Sequence, residues 1–316
     1  MHFRRVFITG AEGFVGKFFR VALANALPSA AFSLTTRAKE RSDEPGWVRL
    51  DLRNSEAVID VIKSFSPDLV IHLAAQASVH QSHSAESETW SSNVCGSVNL
   101  ATALAQNGRD ATVLNVSSSE VYGSSFLRGL AREDTPLEPA SVYGRTKEIA
   151  EKAFDDILPK SSQLITIRPF NHTGPGQDER FALPSFANQI ARIEKGLQIT
   201  PLTVGNLDAE RDILDVRDVV EAYLAIIHNA SQLPNRAVFN VASGMTHRIG
   251  DLLKILISQA IKNIPVSIQT ERMRQSDILR AGGDPSALKK TTGWEPRYSI
   301  RDTLSDLLQS ARNRMG

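Results

Sequence analysis

Cysteine is almost missing from this chain: its 316 residues include one, Cys95. A single thiol builds neither a disulfide framework nor, alone, a zinc site. Its setting, Asn93-Val94-Cys95-Gly96-Ser97 in a helix-like stretch, predicts a buried structural thiol rather than a nucleophile. An excess of either charge is missing too. The 36 basic and 35 acidic residues leave a net +1, which gives no electrostatic footprint for nucleic acid or an anionic membrane. No stretch approaches the roughly 20 apolar residues of a membrane span. Met1-His2-Phe3-Arg4-Arg5 runs straight into a strand-like segment, without the apolar core of a signal peptide. The expectation is a soluble, cytoplasmic protein with no nucleic-acid or membrane partner. His80 and His83 sit three apart, but no adjacent cysteine or acidic pair completes a metal site, so no metal is expected. Repeats and low-complexity tracts are absent.

What is present is a core and an alternation. Apolar residues make up 41% of the chain, enough for a large folded unit. Short β-branched runs predict strands at residues 6–9, 31–34, 47–50, 69–74, 112–117 and 164–167. Helical patterns lie between them at 16–27, from Ser55, at 86–107 (ending at Gly108) and at 141–158 before Pro159. Strand–helix alternation implies a doubly wound parallel α/β sheet, with ligand beyond the carboxyl ends of the strands. After residue 170 the pattern breaks, and helices are expected at 219–227 and 252–261. The division read from this is a dinucleotide-binding Rossmann domain over 1–170, with returns around 212–245. A smaller C-terminal α/β lobe over 171–316 mainly binds substrate.

Gly10-Ala11-Glu12-Gly13-Phe14-Val15-Gly16 follows the first strand and opens the first helix. Glycines at this spacing permit a tight turn and close approach of a pyrophosphate, which the helix N-terminus then attracts. NAD-preferring folds usually carry a carboxylate at the end of the second strand. Here that strand ends in Thr35-Thr36-Arg37. Arg37 can pair with a 2′-phosphate, so NADP(H) is favoured and NAD(H) remains possible. Asp51, after the third strand, is a candidate contact for the adenine edge.

Tyr143-Gly144-Arg145-Thr146-Lys147 sets Tyr and Lys four apart, on one helix face with Cβ atoms about 5–6 Å apart. An ammonium beside a phenol is expected to lower the phenol's pKa from about 10, readying Tyr143 for proton exchange with a sugar oxygen. Lys147 can also hold the nicotinamide ribose. Ser118, at the end of the fifth strand in Ser117-Ser118-Ser119-Glu120-Val121-Tyr122-Gly123, can hydrogen-bond the reacting oxygen.

Together with His72-Leu73-Ala74-Ala75-Gln76 and Arg168-Pro169-Phe170-Asn171-His172, these stretches resemble the extended short-chain dehydrogenase/reductase family over nearly the whole chain. The resemblance implies Ser118, Tyr143 and Lys147 as the catalytic set. It implies dinucleotide contacts at Gly10, Gly13, Phe14, Val15, Gly16, Arg37, Asp51, Leu52, Ala74, Ala75, Gln76, Tyr143, Lys147 and Pro169. Residues 168–177, 204–218 and 272–277, with Thr292-Gly293-Trp294-Glu295-Pro296, are similar to the GDP-4-keto-6-deoxy-D-mannose reductases, which form GDP-D-rhamnose. That likeness implies a nucleotide-sugar substrate held by Ser118, Glu120, Asn171, Arg211 and Arg274, the two arginines on the diphosphate. His172 is expected to support its loop by hydrogen bonding. Gln275 departs from the proline that often follows this arginine, and Glu120 matches the base position of related 4,6-dehydratases.

The reading is therefore NAD(P)H-dependent reduction of a C4 ketone on a nucleotide-linked 6-deoxy sugar. Its alternatives are 4,6-dehydration or 4-epimerisation, and, more remotely, a non-catalytic dinucleotide sensor. By the same resemblance, the helices at 86–107 and 141–158 lie side by side and pair with a second copy in a homodimer.

Overall fold

The computed structural model describes residues 3–77, 82, 84–107, 110–269 and 278–315. Arg274, Gln275, His80, His83 and Gly108 lie outside them.

Among the described residues, seven parallel strands form one sheet: β1 (Arg5–Thr9), β2 (Ala31–Thr36), β3 (Trp47–Arg49), β4 (Leu69–His72), β5 (Thr112–Val116), β6 (Gln163–Pro169) and β10 (Arg236–Val241). Their order is β10-β6-β5-β4-β1-β2-β3. The order reverses between β1 and β4, so the two loops leaving these strands diverge and open a crevice at the carboxyl edge. The expected strand over 69–74 stops at His72, and the one over 31–34 runs on to Thr36.

Near-continuous apolar runs such as Val6-Phe7-Ile8 mark strands buried on both faces. Helix α1 (Phe14–Ala26) and helix α6 (Val216–His228) cover one face, packing Phe19 and Tyr223 over Ile8, Val116 and Ile167. The opposite face carries α2 (Ser55–Phe65), α3 (Glu86–Trp90 with Gly96–Gln106) and α4 (Val142–Ile157), with Leu100 and Phe154 over Phe7, Val70 and Val113. Helix α3 is Glu86–Trp90 and Gly96–Gln106 joined through a π-helical turn, Ser91–Cys95. Its buried face runs through Thr89, Asn93, Ser97 and Leu100. Cys95, two positions from both Asn93 and Ser97, falls on the opposite side and is exposed. The expectation of a buried thiol is corrected accordingly.

A second core lies beyond residue 170. Helices α5 (Ala182–Glu194), α7 (Ile249–Ser258) and α9 (Ile300–Met315) pack Phe186, Ile190, Leu253, Leu256, Leu304 and Leu308 together. Strand β9 (Glu210–Asp215) pairs with β7 (Asn171–Thr173), β11 (Thr246–Arg248) and β13 (Arg280–Ala281). Strands β8 (Leu202–Val204) and β12 (Val266–Ile268) form a separate parallel pair, and α8 (Ser286–Thr292) precedes α9. The chain of this lobe returns to the large sheet through α6 and β10. No described helix is long and apolar enough to cross a membrane.

Candidate active site

The crevice floor is the glycine turn. Gly10 has φ +71°, and a Cβ there would lie 2.7 Å from the Ala74 nitrogen. A Cβ on Gly16 would lie 2.3 Å from the Gly10 oxygen. The turn can therefore close against β4 and feed directly into α1 only with glycine at both positions. Gly13 is the N-cap of α1 and brings no side chain to it, which leaves the helix's first N–H groups for an anion. A dinucleotide pyrophosphate fits this cradle.

The wall beside it is held by a chain of hydrogen bonds with one consistent direction. The Ala74 N–H donates to Thr9 Oγ1 at 3.2 Å, and Thr9 Oγ1 lies 2.8 Å from His72 Nδ1. His72 Nε2 lies 3.1 Å from Ser97 Oγ, which donates to the Asn93 carbonyl at 2.6 Å. Because Ser97 spends its proton on Asn93, it accepts from His72. The ring is thus neutral with its proton on Nε2, and Thr9 donates to Nδ1. Burial, reinforced by the Lys147 charge, pushes His72 down to about 3, which keeps that tautomer throughout the neutral range. The Asn93 side chain adds three bonds, accepting from the Gln76 N–H at 2.8 Å and donating to the Gln76 carbonyl at 3.3 Å and to Thr146 Oγ1 at 3.0 Å. Ala74, Ala75 and Gln76 are thereby fixed to α3 and α4. Leu52 is buried beneath them, and Pro169 is buried at the end of β6.

Ser118 caps the short 3-10 turn Ser119–Val121, its Oγ accepting from the Glu120 N–H at 3.2 Å. Ser141 caps α4, accepting from the Gly144 N–H at 3.0 Å. A Cβ on Gly144 would lie 2.6 Å from the Glu120 oxygen, so glycine lets α4 press against the 119–121 turn. That contact sets the Tyr143 hydroxyl beside Ser118, close enough for Ser118 to act on its pKa. Lys147, one turn on, donates from Nζ to the Val116 carbonyl at 2.7 Å.

The electrostatics differ from the expectation of a lowered phenol. Burial, with the Glu120 charge adding to it and the Ser118 hydrogen bond opposing it, pushes Tyr143 up to about 12. Burial likewise pulls Lys147 down to about 8, the Glu151 carboxylate opposing it. Desolvation dominates at the phenol, and Lys147 is not among the groups that shift it. Tyr143 therefore enters the reaction holding its proton, which suits a general acid.

Glu151, one turn beyond Lys147, receives a two-pronged guanidinium from Arg168: Nε to Oε1 at 3.1 Å and Nη2 to Oε2 at 2.7 Å. Arg168 Nη1 also donates to Tyr122 Oη at 3.0 Å, and Tyr122 donates to Asn240 Oδ1 at 2.7 Å. Asn240 Nδ2 reaches the Ala131 carbonyl at 3.0 Å. This buried network, which no sequence motif announced, ties α4 to β6 and β10.

The remaining candidates are spread along the crevice. Asn171 is exposed on β7. His172 lies 2.9 Å from the Phe170 carbonyl through Nδ1 and stacks on Phe14 with ring centroids 6.1 Å apart, joining the glycine turn to the β7 loop. Arg211 donates to the carbonyls of Glu210, Leu279 and Ile278 at 2.8, 3.2 and 3.3 Å, and so braces backbone in this structure. Asp51 is paired with Arg53, whose hydrogen bonds hold its carboxyl down to about 2. Arg37 is exposed close enough to Asp51 to lower it further. Glu12, inside the glycine turn, was missed. It reaches the end of β2, where Thr36 Oγ1 donates to its Oε2 at 2.5 Å and Arg41 Nε lies 3.1 Å from its Oε1. Among the described residues no group of three or more His, Cys, Asp or Glu is placed to hold a metal.

With this geometry in view, the comparisons are specific. The family model described as GDP-mannose 4,6 dehydratase matches residues 7–307. The GDP-6-deoxy-D-mannose reductase of Pseudomonas aeruginosa is 34% identical over 314 residues, covering 99% of this chain and 98% of the relative. The structure of RMD from Pseudomonas aeruginosa complexed with NADPH superposes with a TM-score of 0.81 at 32% identity, over 98% of this chain and 99% of that one. The UDP-glucose 4-epimerase of Thermus thermophilus complexed with NAD gives a TM-score of 0.83 at 26% identity, over 98% and 99% of the two chains.

Proposed function

This chain belongs to the extended short-chain dehydrogenase/reductase family, in the group described by the GDP-mannose 4,6 dehydratase model, and on that premise we propose that it reduces GDP-4-keto-6-deoxy-D-mannose to GDP-D-rhamnose. It is an NAD(P)-dependent oxidoreductase of nucleotide sugars. The reading is carried by the juxtaposition beside the glycine cradle of Ser118, which caps the 119–121 turn, and the buried Tyr143 and Lys147 on the helix that Gly144 lets press against that turn.

The dinucleotide, when bound, supplies the hydride that C4 receives. Ser118 donates to the C4 oxygen and polarises the ketone. Addition of hydride turns that oxygen into an alkoxide, a far stronger base than the Tyr143 phenolate, so the Tyr143 proton moves to it even from a pKa of about 12. The charged Lys147 then stabilises the phenolate left behind. Asn171 and Glu120 are assigned to the sugar, and Arg211 and Arg274 to the diphosphate, since guanidinium forks match phosphate oxygens. The cradle suits both NADPH and NADH.

Net consumption of reductant is the test. A reductase consumes one NADPH per sugar, whereas a dehydratase or epimerase returns its hydride within the turnover. Incubation with the keto sugar nucleotide should oxidise NADPH stoichiometrically, and GDP-D-rhamnose should be the product.

We assign the protein to the cytoplasm, where reduced dinucleotide is regenerated, and to a homodimer. Helices α3 and α4 lie side by side, Leu100, Ala150 and Phe154 facing the sheet. Trp90 and Ile149 remain 36% and 38% exposed on the same two helices, and a two-fold copy of this pair would cover them. Light scattering at micromolar concentration should give twice the chain mass; a monomer would refute the assignment.

A further inference from the structure

A ribose 2′-hydroxyl donates a hydrogen bond, whereas a 2′-phosphate is a dianion. In doubly wound dinucleotide folds this group lies at the carboxyl end of the second strand. No carboxylate stands there in the sequence order of this chain. The fold supplies one from elsewhere. The Gly10 N–H donates to Thr35 Oγ1 at 3.3 Å, drawing the glycine turn onto the end of β2. Thr36, 3% exposed, donates to Glu12 at 2.5 Å and so aims the carboxylate across the strand end.

The second side of the arrangement is cationic. Arg41 pairs with Glu12 at 3.1 Å, lies 3.9 Å from Glu44, and stacks over the Trp47 ring at 4.9 Å. These contacts hold its guanidinium over the strand end, rather than free in solvent. Arg37 follows Thr36 directly and is exposed. Beyond it the Asp51–Arg53 pair is internally balanced, while Lys39, Glu40 and Asp43 are exposed on or beside the turn that carries Arg41. The strand end thus presents the Glu12 carboxylate ion-paired to Arg41, with Glu44 at 3.9 Å from the same guanidinium and Arg37 exposed next to Thr36 in the chain.

We propose that Glu12 is the residue that sets the choice between NADH and NADPH. Its carboxylate accepts from the 2′-hydroxyl of NADH and opposes the 2′-phosphate of NADPH, while Arg41, its ion-pair partner, and Arg37 attract that phosphate. The balance makes the protein a user of both dinucleotides, and either side can be tipped separately. This rests on the dinucleotide lying on the glycine turn, as in the proposed function.

The test is titration of NADH and NADPH fluorescence in the absence of any sugar nucleotide. Glu12→Gln keeps an acceptor for Thr36 and removes the charge. Its NADPH-to-NADH affinity ratio should rise about tenfold over the parent. Arg41→Gln should lower the ratio by about the same factor, and thermal melting verifies that each variant is folded. A ratio within about twofold of the parent in Glu12→Gln, or equal weakening of both dinucleotides, overturns the proposal. Because no sugar is present, selection without subsequent keto-sugar turnover would refute the proposed reaction and leave the role of Glu12 standing. A parent protein that binds neither dinucleotide would refute both.

Discussion

At the carboxyl end of β5, Tyr143 and Lys147 are 8% and 5% exposed; at the carboxyl end of β2, the side chains of Glu12 and Arg41 are 36% and 37% exposed. Both regions border the same crevice, and both depend on charge. In the first, desolvation outweighs the neighbouring charges on Tyr143 and Lys147, so both groups are displaced from their ordinary range. In the second, water and several opposite charges share the work, so single groups carry less. Burial concentrates effect in individual residues, while exposure spreads it across a set. Substitutions in the two regions should therefore differ in size, and their ranking tests the contrast.

The largest effect is expected at Tyr143. Tyr143→Phe keeps the ring and removes the proton, and general acid catalysis contributes about 10²–10⁴-fold. The turnover rate should fall within that range with little change in dinucleotide affinity. A variant within threefold of the parent would remove Tyr143 from the chemistry.

Next comes the buried Arg168–Glu151 pair. Arg168→Leu leaves the Glu151 carboxylate buried without its guanidinium. Breaking such a pair costs about 3–5 kcal/mol. Denaturant unfolding should register that loss, and a change below 1 kcal/mol would mean the network is not holding α4 to β6.

The pH dependence is smaller and carries two signs. Lys147 is pulled down to about 8 in the folded protein, below its unfolded value. As pH rises through 8 the folded amine loses its proton and can no longer stabilise the Tyr143 phenolate, so turnover should decline above pH 8. Between pH 8 and the ordinary lysine range the unfolded chain binds more protons than the folded one. This group therefore adds stability as pH rises over the same interval. Rate profiles and melts across pH 7–10 should move in opposite directions, and a flat rate profile would contradict the role given to Lys147. Lys147→Met should abolish the decline.

The smallest effect belongs to the exposed rim. Arg37→Ala should weaken NADPH by about 2–5-fold and leave NADH unchanged, because exposed ion pairs contribute at most about 1 kcal/mol. A hundredfold loss would show that Arg37 acts alone rather than within a set, and would blur the contrast between the two regions.

The same contrast explains what the sequence could reveal. The strands expected at 6–9 and 112–117, the glycine turn and the Tyr143–Lys147 spacing are local patterns, dictated by strand burial and helical period, and they are legible directly; the fifth strand ends one residue earlier, at Val116. The joining of β10 to β6 was expected only as a return somewhere within 212–245, because strand pairing is not a local property. Glu12 escaped notice because its contact with Thr36 spans 24 residues and exists only once β1 and β2 pair. The π-helical turn at 91–95 and the exposed face of Cys95 required the packed register of α3. The raised pKa of Tyr143 required its burial: spacing placed an ammonium one helical turn away, but gave no sign of the desolvation that dominates. Arg211 is expected at the diphosphate from the resemblance, and two of its three backbone carbonyl partners come from residues 278 and 279, distant in the chain.

Reduction at C4 with Tyr143 as proton donor is tested by counting moles of NADPH oxidised per mole of GDP-4-keto-6-deoxy-D-mannose converted, with parent protein and Tyr143→Phe in parallel. The expected result is a ratio of one for the parent, GDP-D-rhamnose as product, and a rate about 10²–10⁴-fold lower for the variant. Conversion of the sugar without net NADPH oxidation would contradict it.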